Sequence, residues 1–312
     1  LGDGALGART AFLSRPYADD PSTCGIPVFT QETMDEMIGY ANAHGMQAAV
    51  HTIGDACLDR VLSAYEKALA ENPREDHRHG IVHCQITRAD QLEKIAKMHL
   101  HVYAQSIFLD YDNHIVEERV GKELASTSYS WKTLMNNGVS VSNGTDCPVE
   151  LPDALACMQC AVTRTTLRDH VGPYLPDQKF TVQEALDSYT IRSAEASFEE
   201  NVKGQIAEGM MADFVVLGQN PFEVDESTIK DIPVCRTYLA GELVYRAGIS
   251  EKDGAVLWND GVGGLNFKFN MQSGGSYNLK IVWNKGRNRG EPPAAMNGRR
   301  RFFFDPDRTI RL

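Results

Sequence analysis

The chain has 312 residues, 42% of them hydrophobic, and a formal net charge of -11. That length can bury a large core, and the composition is ordinary for a globular protein. The acidic balance opposes polyanions, which argues against nucleic acid or an anionic membrane as a partner and leaves a small molecule as the expected one.

The opening "LGDGALGART" has neither the charged start nor the apolar middle of a signal peptide, and no apolar run approaches the ~18 residues of a membrane span. A cytoplasmic protein is expected. The same stretch is glycine-rich but lacks the Lys-Ser/Thr of a phosphate loop. It begins at Leu1 in the middle of what reads as a loop, so the expectation is a chain that has lost its N-terminal part.

From Gln47 a pattern repeats: a short apolar run, a loop, an amphipathic helix. "QAAVH" (47–51) reads as a strand, and 56–71 as a helix with Leu58, Val61, Leu62, Tyr65 and Leu69 on one face. "GIVHC" (80–84) is a second strand, followed by a helix for which Thr87 is the expected N-cap. "HVYAQSI" (101–107) is a third strand and "VSVSNGTD" (139–146) a fourth. Short buried strands alternating with helices predict βαβ units on a parallel sheet, and four in succession fit half of a (β/α)8 barrel.

"CMQC" (157–160) has redox or zinc spacing, but no second pair accompanies it, so buried thiols are expected there; seven cysteines in all suggest reduced thiols. Glycine-punctuated β runs, "ADFVVL" and "CRTYLAGELVYRAG", then indicate a small β domain. From Lys280 to Leu312 nine Lys/Arg face three acids. That tail could bind nucleic acid or membrane; its composition favours an appended segment that packs loosely or not at all.

His51 ends the first strand, His83 the second, and Asp146 follows the fourth. In a parallel barrel all three project from one rim. Two neutral imidazoles and a carboxylate suit Zn2+, which acidifies bound water, and the carboxylate can shuttle the proton to a leaving group. Taken singly, a strand-end histidine is more often structural. "HRH" (77–79) and "HLH" (99–101) lie at or before strand beginnings, on the opposite face, and read as surface or packing histidines. His114, in the irregular "LDYDNHIVEERVG", has no spacing that assigns it a role. No G-x-S-x-G serine elbow occurs.

"DGALGARTA", "AVHTIGDACLDRVLSAYE", "HRHGIVHCQI", "SYSWKTLMNNGVSVSNGTDCPVE" and "KGQIAEGMMADFVVLGQNP" follow one another as in amidohydrolase family 3. The chain resembles that family over residues 1–246, and more narrowly its branch containing N-substituted formamide deformylases. The resemblance implies a metal-dependent hydrolase on a TIM-like (β/α)8 barrel, with the C-terminal half present (strands five to eight, residues 1–200). Residues 201–248 would be part of a small β-sandwich, and 249–312 match nothing in the family.

It further implies that His51, His83 and Asp146 are metal ligands, that Asp146 is also the catalytic acid–base, and that the cofactor is a divalent metal, foremost Zn. The family's first-strand H-x-H pair and the bridging residue near its fourth strand, commonly a carboxylated lysine, have no counterpart in this sequence. Arg9 and Tyr129, in loops after strand ends, are the expected substrate contacts. The expected activity is hydrolysis of a non-peptide C–N bond in a small amide. The alternative is a catalytically incomplete fragment, or a non-catalytic protein that keeps the fold. Oligomeric state is open, and a homo-oligomer is compatible with the sequence.

Overall fold

The computed structural model describes residues 1–247 and, beyond them, only the backbone of four strands within residues 262–311. The chain divides into two units, residues 1–210 with 219–232 and residues 211–218 with 233–312.

The first unit opens with an extended loop region and helix α1 (Gln31–Ala43), whose N-cap Thr30 accepts the Thr33 N–H. Four short strands follow: β1 (Ala49–Thr52), β2 (Gly80–His83), β3 (His101–Ala104) and β4 (Val141–Asn143). They pair in chain order as one parallel sheet, with His51 opposite Val82 and Thr52 opposite His83. Parallel neighbours need long crossovers, and helices supply them. These are α2 (Asp55–Glu71) after β1, α3 (Ala89–Lys97) after β2, and α4 (Leu109–Asp112), α5 (Val116–Ala125) and α6 (Trp131–Asn136) between β3 and β4. Helices α7 (Ala154–Thr163), α8 (Val182–Tyr189) and α9 (Ile191–Ala196) complete the unit.

Helix α2 shows why the alternation holds. Leu58, Val61, Leu62, Tyr65 and Ala68 recur three or four residues apart and are all buried. The Tyr65 hydroxyl lies 2.9 Å from the Ala48 carbonyl and 2.8 Å from that of Gly80, pinning the helix beside the starts of β1 and β2. Leu69, expected on the same face, is half-buried. Ile81, Val102, Ala104 and Val141 are fully buried in the sheet.

Three local expectations differ from the structure. The third strand stops at Ala104 instead of 107, because the Asn143 side chain accepts the Ser106 N–H (3.0 Å) and donates to its hydroxyl (2.8 Å), turning the chain into a short 3-10 helix. The N-cap of α3 is Arg88, whose N–H is taken by Gln91 (2.9 Å), and not Thr87. The Thr87 hydroxyl donates to the Thr127 carbonyl and the Thr127 hydroxyl to that of Thr87, each at 2.5 Å, so Thr87 ties two loops together. Residues 219–232 group with the first unit and not with the small β portion. Their 3-10 helix Glu226–Asp231 buries Ile229, and the Lys230 N–H donates to the Gln159 side chain (2.9 Å).

In the second unit β5 (Phe214–Leu217), β6 (Val234–Leu239) and β7 (Glu242–Arg246) form an antiparallel sheet in that order. Ala240 and Gly241 join β6 to β7 with positive φ (50° and 80°), the conformation that matches hairpin twist. Phe214 and Tyr238, directly paired, stack with centroids 4.5 Å apart. Strands β8 (Val262–Asn270), β9 (Ser276–Asn284), β10 (Phe303–Phe304) and β11 (Thr309–Arg311) form a sheet of their own, ordered β10-β11-β9-β8. The expectation of a loosely packed basic tail concerns side chains outside the described residues. No helix of the described residues is long and apolar enough to cross a membrane.

Candidate functional site

Because β1 to β4 are parallel, the segments leaving their C-terminal ends share one rim. His51 sits one residue before the end of β1 and His83 ends β2. Their rings meet edge to face, with centroids 4.5 Å apart and planes at 75°. His51 Nδ1 and His83 Nδ1 are both buried without a hydrogen-bond partner among the described residues. Burial, reinforced by neighbouring His51, pushes the His83 pKa down to about 3, so its imidazole is neutral at physiological pH.

Two further groups fix this pair. The Trp131 indole N–H donates to the His83 carbonyl (2.9 Å), holding a residue whose φ is 76°, a left-handed conformation uncommon for any side chain but glycine's. On the other side Asp3, fully buried, brings Oδ1 to 3.2 Å from His51 Nδ1. Its carboxylate accepts the backbone N–H groups of Phe12 (2.9 Å), Ile53 (3.1 Å) and Gly54 (2.7 Å). Gly2 permits that approach: its N–H donates to the His51 carbonyl (2.9 Å), and a Cβ there would lie 2.7 Å from the same oxygen. Gly54 is required for a like reason, since its Cβ would fall 2.0 Å from the Phe12 carbonyl oxygen.

The remaining expected site residues lie elsewhere. Asp146 occupies an exposed turn three residues past β4, with φ 55°. The structure does not gather it with the histidines: among the described residues no three His, Cys, Asp or Glu side chains are grouped so as to hold a metal ion. β4 ends at Asn143, which leaves Asp146 beyond the point at which the ladder fixes direction. Arg9 pairs with Asp19 through two hydrogen bonds, Nη2 to Oδ2 at 2.6 Å and Nε to Oδ1 at 3.2 Å, and Asp19 is shared with Arg119.

Tyr129 is fully buried. Its hydroxyl donates to Asp112 Oδ2 (2.7 Å), while Gln85 Nε2 donates to that same oxygen and to the Tyr129 hydroxyl (2.9 Å each). Burial raises the Asp112 carboxyl to about 6. Neither Asp3 nor this three-residue network was singled out from the sequence. "LGDG" reads locally as a loop, and Asp112 lies in an irregular stretch where no spacing marks it.

The histidines at the opposite face are structural. His79 Nδ1 accepts the Ala48 N–H (3.0 Å), and its Nε2 lies 3.0 Å from Asn42 Oδ1. His77 bonds the Met98 carbonyl (3.0 Å) and His101 the Ser142 hydroxyl (2.9 Å); His99 is exposed. His114 lies 3.3 Å from Asp169, near the surface. Cys157 and Cys160 are free, buried thiols on α7.

The model of the amidohydrolase family matches residues 1–245, and the chain belongs to that family. It is 38% identical over 244 residues to YtcJ of Bacillus subtilis (strain 168), which carries an amidohydrolase name; the match covers 78% of this chain and 46% of that one. It is 26% identical over 249 residues to N-substituted formamide deformylase of Arthrobacter pascens, covering 77% and 45%. Among solved structures, an uncharacterized metal-dependent hydrolase from Pyrococcus horikoshii OT3 superposes with a TM-score of 0.64 at 33% identity, covering 72% of this chain and 44% of that one. The chain thus spans less than half the length of these relatives.

The two-histidine arrangement fits a divalent cation. Neutral imidazoles are good ligands for such ions, and a carboxylate placed behind a ligating ring is the usual way of fixing its orientation. His51 and His83 would hold the ion from this chain, with Asp3 fixing the His51 ring.

Proposed function

We propose that this chain carries part of the active site of a divalent-metal-dependent hydrolase that cleaves a non-peptide C–N bond in a small amide. The observation that carries the reading is the His51–His83 pair, two imidazoles in edge contact at adjacent strand ends, with His83 Nδ1 lacking a hydrogen-bond partner among the described residues and Asp3 behind His51 Nδ1. Membership of the amidohydrolase family supports hydrolysis, and the name of the Arthrobacter pascens relative supports an N-substituted amide as the substrate class. In the whole protein the four parallel strands would be one half of a closed TIM-like barrel. The β5–β7 sheet, with Val215, Leu243 and Val244 exposed, would be one layer of a small sandwich. Imidazole and carboxylate donors favour Zn over harder ions.

A bound cation would supply Lewis acidity, acidifying water and polarising the amide carbonyl. The protein's own contribution follows from the geometry. Asp3 fixes the direction of the His51 ring, and His83, kept neutral by burial, is positioned through the bond of Trp131 to its carbonyl. Asp146, on the exposed turn that follows β4, would take the proton of the attacking water and return it to the departing nitrogen. Arg9 stays paired with Asp19 and shapes the loop that bears it, and Tyr129 acts through Asp112 by hydrogen bonding. Nucleic acid and membrane have no role in this reading, and the location is cytoplasmic.

A second reading, a chain that keeps the fold without the chemistry, is favoured by one observation: Asp146 does not join the histidines. Metal content per chain, measured by mass spectrometry on purified protein, separates the two. Near-stoichiometric metal, lost in the His51→Ala/His83→Ala variant, supports the hydrolase reading. No metal in either protein refutes it for this chain.

A further inference from the structure

Beside the histidine pair lies a cleft of about 150 Å3, lined among others by Leu6, Ile53, Gln85, Phe108, Asp112 and Glu150. It opens at the same rim: Ile53 is two residues past His51, Gln85 is two past His83, and the Phe108 ring lies 5.5 Å from that of His83. Its volume is below the several hundred Å3 that enclose a whole drug-sized ligand, so it accommodates one substituent.

The inner polar wall is dominated by acceptors. Tyr129 spends its only O–H on Asp112, and the Gln85 amide nitrogen donates to Asp112 and to the Tyr129 oxygen. The amide orientation is not arbitrary, because a carbonyl turned toward Asp112 would set two acceptors against each other. What remains are acceptors. Gln85 Oε1 is buried without a partner, Asp112 Oδ1 receives no hydrogen bond among the described side chains, and Glu150 contributes a second carboxylate. Gln85 itself is 1% exposed and Asp112 7%.

An anion would face two carboxylates here, with the exposed Tyr111 hydroxyl as the uncommitted side-chain donor among the lining residues. A donor-only cation would meet the Asp112 and Glu150 carboxylates, with the Gln85 carbonyl behind them, while its carbon body packed on Leu6, Ile53 and the Phe108 ring. The carboxyls agree with this. Both titrate above their ordinary values, mainly through burial; Glu150 raises Asp112, Asp110 raises Glu150, and Arg168 lowers Glu150 without forming an ion pair with it. A positive charge placed between them removes the cost of that crowding.

We propose that this cleft binds a primary ammonium substituent carried on a short alkyl or aryl body, and thereby selects amides that bear one. The cation site stands on the cleft alone; its role in selecting substrates rests on the hydrolase reading above.

The test uses benzylammonium and benzyl alcohol as probes, titrated into the 312-residue chain and followed by ligand-observed NMR. The ammonium is expected to bind about tenfold more tightly than the alcohol, the difference between a charge-assisted and a neutral hydrogen bond. That ratio should fall toward one in Asp112→Asn and drop in Glu150→Gln. Glu150 is only half-buried and stands outside the Tyr129 network, so its variant decides the matter if Asp112→Asn does not fold.

Equal affinity for the two probes, no saturable binding of the ammonium, or an unchanged ratio in Glu150→Gln overturns the proposal. Neither metal nor turnover enters this measurement. A parallel assay with metal-loaded chain and N-formyl amides, with and without a terminal ammonium, separates the two readings. Ammonium binding without any hydrolysis leaves the cleft as a cation site and overturns its role in substrate selection. Hydrolysis indifferent to the ammonium overturns that role while sparing the hydrolase.

Discussion

The carboxylate of Asp3 offers the sharpest test of how the rim is built. It is fully buried and accepts three backbone N–H groups: Ile53 on Oδ1, and Phe12 and Gly54 on Oδ2. Truncation to Ala strands those donors away from water, at about 1–3 kcal/mol for each left unpaired. Because the three share one carboxylate and the loop relaxes, the sum is not additive, and about 3–5 kcal/mol is expected.

Asp3→Asn separates acceptor chemistry from volume. Asparagine keeps one oxygen, but its NH2 must face either Ile53 or the Phe12–Gly54 pair, donor against donor. It should therefore cost nearly as much as Ala despite its matching shape. Urea unfolding followed by far-UV circular dichroism gives the global change, and hydrogen exchange at Ile53 and Gly54 locates it, with faster exchange expected at both amides. An Asp3→Asn protein as stable as wild type, with those amides still protected, would refute the claim that Asp3 organises the end of β1.

Two further perturbations follow from the same contacts. Gly54→Ala places a Cβ 2.0 Å from the Phe12 carbonyl, and since backbone must move, a loss of about 1–3 kcal/mol in urea unfolding is expected, with wild-type stability counting against the close approach. Acidification should also destabilise the first unit. Burial lowers His79 and His101 to about 4, below their unfolded value of 6.5, so the unfolded chain binds more protons across that window. Their contribution is complete above pH 6.5 and lost as pH falls toward 4, each at about 1.4 kcal/mol per pH unit inside the window. Asp112, raised from 3.8 to about 6, works with the opposite sign: its native form holds the proton, and its contribution, present below 3.8, is lost as pH rises through 6. His83, lowered to about 3, acts in the same direction, and these three histidines against the Asp112 carboxyl leave a net fall in urea midpoint from pH 6.5 to 4.5, shallower in His101→Gln. A midpoint that rises on acidification would contradict the burial assigned to these histidines.

What the sequence discloses here is what repeats locally. Alternating apolar runs and helical stripes mark β1, α2, β2 and α3, and parallel strands oblige residues leaving their ends to share a rim, so the His51–His83 pair was legible. The supports of that pair were not. Asp3 lies 48 positions before His51 and acts through a loop whose glycines describe only flexibility when read alone. Tyr129 reads as a loop residue free to meet substrate, yet its neighbours Gln85 and Asp112 come from separate connections and close over it. Thr87 has the chemistry of an N-cap, but its hydroxyl is taken up by the Thr127 carbonyl. Each miss is a contact between distant segments, which no periodicity can carry.

The two imidazoles are thus fixed from opposite sides before any ligand arrives. Asp3 reaches His51 from the loop preceding α1 and holds the two amides that follow its strand. Trp131, on the connection before β4, holds the carbonyl of His83 at a left-handed φ that an unsupported chain would leave, a strain on the order of 1–3 kcal/mol that the surrounding contacts must offset. Stability spent on ring placement in this way lowers the ordering cost of capturing a cation, because the ligand directions already exist. It follows that removing Asp3 or Trp131 should weaken metal binding even with both histidines intact, whereas loosening the structural histidines at the opposite face should cost stability alone.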